Sequence, residues 1–491
     1  MTAKEKHPPS RDRVATWALI AYSLPSLQTA LVQGPASSIV PTFYGTEFGL
    51  NLALVGTALF ISRVIDAVVD PLIGHLSDNT RTRIGRRKPW LIASTLISMV
   101  SIYFLYIPPK HPSFVYFLCW IVAAFVGWSV GEIPLAAWGA EITRNYQERT
   151  RVFIFRIVAA QLGGFAFFLL PMLPIFPTTA ITPQTIRFVA YVALALVPLS
   201  AAAAVFLGPK SVRLEVTPRQ KLSDLWPLVR DNRPLWRYAA MFISAGLAAG
   251  MFGAGGFLYM SAYLGLAKEL IFVFIAMQVA GMAFMPVSLY IVNKFGRPRS
   301  LAGSLAISIT LMLGMLFLPH GRAALVPLVV LLVPIILCDT VGNIAPVTML
   351  GDLVDYDTLK TGKKRAATFT ALFVFISKIN SALGAALGFA IIGLSGFNAK
   401  LGQANSVGAI LGLKAAYIVV PCLIFTSAIY FAWTFPIDAR RQAIIAKRLE
   451  QRERRMGAVG TADGATLSTN EEVALDLQTQ LPRPPIDLPV P

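Results

Sequence analysis

Apolar runs of twenty or more residues recur along this chain. At 1.5 Å of rise per residue, each is long enough as a helix to cross the roughly 30 Å of hydrocarbon in a bilayer. Lipid tails offer peptide groups no hydrogen-bond partner, so each run must satisfy its own backbone, and a helix does so within one segment. The runs predict helices over 15–42, 51–76, 89–108, 113–140, 152–176, 186–208, 236–264, 269–292, 300–319, 323–350, 367–395 and 410–435. Only 14% of the 491 residues are charged, where a soluble protein carries about a quarter. The expected fold class is an all-α membrane protein with twelve transmembrane helices.

The formal charge of +18 invites a nucleic-acid reading, and the placement of the bases answers it. Most Lys and Arg lie in the N-tail, the even-numbered connections and the C-tail. That is the positive-inside bias of a cell-membrane protein, inner or plasma membrane, with both termini in the cytoplasm. The bases thus set orientation and attract anionic lipid, and no nucleic-acid partner is expected. The polar N-tail runs into a span too long for a signal-peptide core, so that span reads as a retained helix. Cys119, Cys338 and Cys422 lie in separate spans, and the four His are dispersed. No zinc site, no cofactor and no nucleophile–His–acid grouping emerges, so the chain does not read as an enzyme.

One long connection, the basic stretch Pro209–Leu235, divides the spans six and six. Two matches cross this divide. Ile84-Gly85-Arg86-Arg87-Lys88 follows span two and Phe295-Gly296-Arg297-Pro298-Arg299 follows span eight, 211 residues later. Pro134-x4-Gly139-Ala140-Glu141 ends span four and Pro346-x4-Gly351-Asp352 ends span ten, 212 residues later. Agreement of the two offsets points to an internal duplication. The expected organisation is an N-tail (1–14), a six-helix bundle (15–208), a basic linker (209–235), a second six-helix bundle (236–436) and a C-tail (437–491). The tail begins as a basic surface helix near lipid headgroups and turns small, polar and disordered from about Gly457.

Ionised groups at mid-membrane cost on the order of 2.5–3.5 kcal/mol each on insertion scales, so each needs a partner or a wet cavity. Those well inside spans are Arg63, Arg156, Lys378, Asp66, Asp70, Glu132 and Asp339, with Glu141 and Asp352 at span ends. Asp66 and Asp70 share one helical face and repel unless a cation lies between them or one takes up a proton. They are candidates for a coupling-ion site, and a structural ion pair with Arg63 is the alternative. Glu132 follows Trp128 by one turn; acid and ring together suit a polyhydroxylated solute, while a Trp128 facing lipid with Glu132 paired to Arg156 is the plainer arrangement. Lys378 calls for a carboxylate partner, either Asp339 or one from the first bundle. Asp339 and Asn343 form a further one-turn polar pair. At the cytoplasmic ends, Asp78, Arg81 and Gly85–Lys88 form an acid–base cluster, mirrored by Asp352, Asp355 and Asp357 with Lys363, Lys364 and Arg365. Ion pairs there can latch one conformation, or serve orientation alone.

Arg63-Val-Ile-Asp66-Ala-Val-Val-Asp70-Pro71-x2-Gly74 with Gly85-Arg86-Arg87-Lys88-Pro89-Trp90 resembles the helix-two motif of the glycoside–pentoside–hexuronide:cation symporters. Those form a branch of the major facilitator superfamily. Asp352-Leu-Val-Asp355-Tyr356 followed by Lys378 resembles the same family's tenth-to-eleventh helix signature, and the similarity covers about residues 15–436. It implies two pseudo-symmetric six-helix bundles around a central cavity, the major facilitator fold. On this resemblance Asp66 and Asp70 match the cation carboxylates, for Na+ or H+, while Glu132, Arg156 and Lys378 match polar cavity residues and Trp128 a substrate-facing aromatic. Ser129 is a further candidate for the cation site, and Gln28 and Asn343 for the solute site. Arg63, Asp78, Arg86, Glu141, Asp352 and Asp355 are candidates for gating ion pairs. The chain departs from the melibiose carriers in three places: the first helix has no acid, Val69 stands where sodium users have an amide, and Ala136 replaces a second aromatic. These changes favour proton coupling or a less polar solute.

The function expected is cation- or proton-coupled symport of a sugar-like small solute by alternating access, carried out in the bilayer by a monomer. Carriage of a lipid, steroid or drug on the same fold is the second reading, favoured by an apolar first helix whose main polar groups are Gln28 and Gln33. A membrane receptor or intramembrane enzyme is the third.

Overall fold

The computed structural model describes residues 13–143, 145–209, 232–362 and 365–462. Nearly all of the N-tail, most of the 209–235 linker, Lys363, Lys364 and the tail beyond 462 lie outside the described residues. The first six long helices are α1 (Thr16–Glu47), α2 (Leu52–Asn79), α3 (Lys88–Tyr106), α4 (Phe114–Glu141), α5 (Tyr146–Leu169) and α6 (Pro183–Leu207). After the linker follow α7 (Arg233–Leu258), α8 (Leu270–Phe295), α9 (Arg297–Gly314), α10 (Leu325–Thr361), α11 (Ala366–Leu394) and α12 (Val407–Trp433). A basic helix, α13 (Ala439–Ala462), closes the described chain.

Eleven of these helices are long and apolar enough to cross a membrane. The twelfth, α1, has 32 residues and is long enough, but it is more polar and carries Pro25, Pro35 and Pro41. Its Ser26, Thr29 and Gln33 line a cleft, so part of its surface never meets lipid. Helix ends run past the hydropathy limits where charges begin. The tenth helix, expected to stop at 350, continues to Thr361. Gly362 ends it at φ +73°, a left-handed cap whose N–H bonds the Thr358 carbonyl. Hydropathy marks where lipid ends, while helical hydrogen bonding continues into water.

Packing repeats between the halves. α1 lies against α5 and α6 as α7 lies against α11 and α12; α4 packs on α2 and α3 as α10 packs on α8 and α9; α3 meets α6 as α9 meets α12. Buried tyrosines repeat with them. Tyr22 of α1 donates to the Leu135 carbonyl of α4 at 2.8 Å, and Tyr238 of α7 donates to the Pro346 carbonyl of α10 at 2.8 Å. Likewise Tyr44 donates to Leu105 O at 2.8 Å and Tyr259 to Met315 O at 2.6 Å. A buried hydroxyl without a partner is costly, so these bonds fix each first helix against its third and fourth neighbours.

The halves meet chiefly along α2 and α11. Near the start of α2 and the end of α11 the contact is backbone-close: a Cβ on Gly393 would lie 2.5 Å from the Ala53 nitrogen, and one on Gly56 would lie 2.8 Å from Phe389 Cβ. At the same end Phe168 of α5 stacks on Phe274 of α8 with centroids 5.0 Å apart. Thr179 donates to the Lys268 carbonyl at 2.7 Å and Lys400 to the Glu47 carbonyl at 3.3 Å, both across the halves. This end is closed. At the opposite end, which carries the basic connections, the described ion pairs lie within each half rather than between them.

Candidate functional site

α2 presents Asp66 and Asp70 on one face because four residues turn a helix by little more than a full revolution. Asp66 is fully buried. Its Oδ1 accepts from the Ser129 hydroxyl of α4, and its Oδ2 accepts from Lys378 Nζ of α11 at 3.1 Å. Asp70 Oδ2 accepts from the same ammonium. The positive charge that two carboxylates on one face require is therefore supplied by a lysine from the other half. Asp70 Oδ1 is buried with no hydrogen-bond partner. Asp66, Asp70 and Ser129 thus offer several oxygens around one point, one of them unused, a donor set suited to a small hard cation. The expectation that Lys378 pairs with a first-half carboxylate or with Asp339 resolves to the first: Asp339 bonds Asn343 instead.

Arg63 is the next base along α2. Its Nη1 lies 3.8 Å from Asp66 Oδ2, its Nη2 donates to Ser37 Oγ at 3.0 Å, and its guanidinium carbon sits 3.7 Å from the Phe125 ring centroid. It braces Asp66 and is itself held by α1 and α4.

Glu132 of α4 is joined to Arg156 of α5, whose Nε also donates to Ser26 of α1 at 3.0 Å. These residues line a cleft of about 250 Å³ with Thr29, Gln33, Trp128 and Phe153. Trp128 does not simply face lipid: it lines this cleft, and Lys378 Nζ lies 5.1 Å from its ring centroid. Its indole Nε1 is buried without a partner. The Glu132 side chain is 27% exposed, Asp70 21% and Lys378 17%, so these charged groups are not sealed in a dry contact; Glu132 lines the cleft, and Lys378 approaches its edge through Trp128. Trp128 also borders a second recess inside the first half, where Gln28 meets Ser94, Thr95, Ser98 and Ser200. Gln28 is thus brought near the cleft, its amide bonding Thr29 at 3.1 Å. Asn343 lies on α10 with its amide on Asp339 Oδ2 at 3.1 Å, and neither residue shares a described hydrogen bond or ion pair with Asp66, Asp70 or Lys378.

At the basic end Arg87 is the hub. Its Nη2 reaches Asp78 at 2.7 Å and Glu141 at 2.6 Å, its Nη1 donates to Ser77 at 2.8 Å, and Arg86 adds a 3.0 Å pair to Glu141. In the second half Arg297 pairs with Asp352. The two motifs duplicated in sequence are therefore the two ends of one ion pair in each half: Arg86–Glu141 and Arg297–Asp352. Asp355 takes no base among the described residues; its Oδ2 accepts from Gln442 of α13 at 2.9 Å. Residue types alone placed Arg87 in the 85–88 cluster without marking it as the hub, and missed the roles of Arg297, Ser26, Ser37 and Phe125. The repeat offset did carry a signal for Arg297, since it places that residue opposite Arg86.

A family model described as MFS/sugar transport protein matches residues 21–439. The chain belongs to that family. This MFS sugar transport family consists of transporters, not enzymes, and the resemblance to glycoside–pentoside–hexuronide:cation symporters agrees with it. The putative glycoside/cation symporter YagG of Escherichia coli (strain K12) is 24% identical over 466 residues, covering 92% of this chain and 98% of its own. The isoprimeverose transporter of Lactiplantibacillus pentosus is 23% identical over 451 residues, covering 89% and 92%. Among solved structures, the nucleoside transporter NupG matches with a TM-score of 0.62 at 12% identity over 84% of this chain and 99% of that one. A bacterial homolog of the human lysosomal transporter Spinster, in an inward-facing and unoccupied conformation, matches with a TM-score of 0.58 at 14% identity, covering 89% and 96%. These likenesses establish the fold: two six-helix bundles in a multi-pass membrane transporter.

Proposed function

We propose that this chain is a secondary active symporter that moves a sugar-like solute with one coupling cation, Na+ or H+, by alternating access. One observation carries the reading: Lys378 of the second half is held by Asp66 and Asp70 of the first, at the edge of the cleft lined by Glu132, Arg156 and Trp128. A cation arriving at Asp66, Asp70 and Ser129 competes for the oxygens that hold Lys378. Its binding therefore loosens a tie between the halves and leaves an ammonium in need of an acceptor. Solute in the cleft is bound next to that ammonium, so cation and solute each favour the other, and by linkage the coupling is mutual.

Glu132 accepts solute hydroxyl protons, Arg156 donates to solute oxygens, and Trp128 covers an apolar sugar face while its free Nε1–H offers a further donor. With both termini in the cytoplasm, the closed end faces outward and the conformation described is inward-facing. The Arg86–Glu141 and Arg297–Asp352 pairs then brace each bundle at its cytoplasmic end so that it rocks as one body. Counterflow in proteoliposomes tests the reading with a panel of neutral glycosides and pentosides, run with and without sodium. Exchange of at least one glycoside, stimulated by sodium or by acid, is the expected result. Absence of exchange across the panel, with lipids or steroids shifting the melting temperature instead, would remove it.

A further inference from the structure

Mid-membrane, the first half and Lys378 form closed charge groups. Arg156 is held by Glu132, Arg63 lies by Asp66, and Lys378 joins Asp66 and Asp70. Asp339 stands outside these groups: among the described residues it has no basic partner, only the amide of Asn343. Asp339 is exposed, and a carboxylate at this depth is tolerated facing water rather than acyl chains. α10 and α11 are in contact. Tyr238 of α7 bonds the Pro346 carbonyl of α10 and packs on Phe373 of α11, which sets those two positions level; away from the basic end, Asp339 lies about 10 Å beyond Pro346 and Lys378 about 8 Å beyond Phe373, so the two sit at similar depth.

We infer that Asp339 is the acceptor for the Lys378 ammonium when the coupling cation displaces it, and that the cargo is therefore electrically neutral. The inference rests on the symport reading above. Seven ionisable groups are involved, four acids (Asp66, Asp70, Glu132, Asp339) and three bases (Arg63, Arg156, Lys378). One monovalent cation brings this set to balance, with Lys378 matched by Asp339 and nothing left to neutralise a solute carboxylate. A hexuronide would add an unmatched negative charge beside Asp339. Two unit charges about 8 Å apart at an effective dielectric near 20 interact by a factor of roughly thirty in an equilibrium constant. Neutral glycosides and pentosides are thus accepted and uronides refused, and Asp339 sets that choice without touching the coupling-ion oxygens.

The test is counterflow by the full-length chain in proteoliposomes with matched probes: methyl β-glucoside against methyl β-glucuronide, and methyl β-galactoside against methyl β-galacturonide. The wild type exchanges the neutral member over the uronide by roughly thirtyfold or more. In Asp339→Asn the solute's own carboxylate takes the place of the missing one, and the ratio moves toward the uronide by a similar factor. Asp339→Glu keeps the wild-type preference. Equal exchange of both members by the wild type, or an unchanged ratio in an Asp339→Asn protein that melts cooperatively, would overturn the inference while leaving symport standing. Should Asp339→Asn not fold, the wild-type ratio decides alone. Exchange of neither member in either pair would instead remove the symport reading and this inference with it.

Discussion

Replacing Lys378 with glutamine removes the ammonium that joins the two halves at mid-depth while keeping a side chain of similar reach. In the intact protein that ammonium bonds Asp66 Oδ2 at 3.1 Å and Asp70 Oδ2 as well. Carboxylates one helical turn apart stand about 5–6 Å from each other, and at an effective dielectric near 20 their repulsion is about 3 kcal/mol. Each attraction to an ammonium at about 3 Å is about 5 kcal/mol on the same scale, most of it offset by desolvation. Breaking a buried pair costs about 3–5 kcal/mol, and the partial exposure of Lys378 and Asp70 argues for the lower end. A cation that no longer has to displace the lysine should therefore bind about a hundredfold more tightly, the equivalent of roughly 3 kcal/mol. Titration calorimetry of the purified protein with sodium at fixed pH, paired with dye-monitored proton exchange, measures this directly. Concentrative solute uptake should fall at the same time, because the cation no longer releases anything. Cation affinity that is unchanged or weaker in Lys378→Gln would refute the competition and with it the coupling route.

Three further outcomes follow from the same geometry. Glu132→Gln removes the carboxylate from Arg156, whose other described partners, Ser26 among them, are uncharged, and takes away the charged acceptor for solute hydroxyls; half-saturation for counterflow should rise about tenfold or more, with sodium titration unchanged. Gly393→Val places side-chain carbon against the Ala53 backbone and should hold the closed end apart, seen as labelling by a membrane-impermeant maleimide of a cysteine introduced at Ala386; absence of labelling in a folded variant would count against the closed-end assignment. Arg87→Ala strips a 6%-exposed hub from Asp78 and Glu141 and should cost about 3–5 kcal/mol of stability, whereas Arg297→Ala, at 38% exposure, should cost much less; equal melting temperatures for the two variants would contradict the burial argument.

Membrane class, helix number and the two-fold repeat were legible because lipid imposes length and apolarity on every span, and duplication preserves offsets. The ends of α10 were not, since hydropathy is silent where a helix continues into water beyond Asp352. Of the site, the cost of charge at mid-membrane singled out Asp66, Asp70, Glu132, Arg156 and Lys378 without any coordinates. Which acid meets which base is a property of helix packing, and sequence spacing left Lys378 divided between Asp339 and the first half. The repeat held more than was drawn from it: the motifs at 84–88 and 139–141 are the two ends of one pair, as are those at 295–299 and 351–352. The tyrosine bonds to carbonyls left no trace that composition or periodicity detects, because a buried Tyr in a span looks like any other aromatic until its partner is seen.

The most direct measurement is solute accumulation in proteoliposomes under an imposed inward sodium or proton gradient, comparing the wild type with the double variant Asp66→Asn, Asp70→Asn. Wild-type vesicles should concentrate the solute above the external level, and the double variant should only equilibrate it while still supporting exchange down its own gradient. Undiminished uphill uptake by the double variant would contradict the assignment of the coupling ion to these two carboxylates.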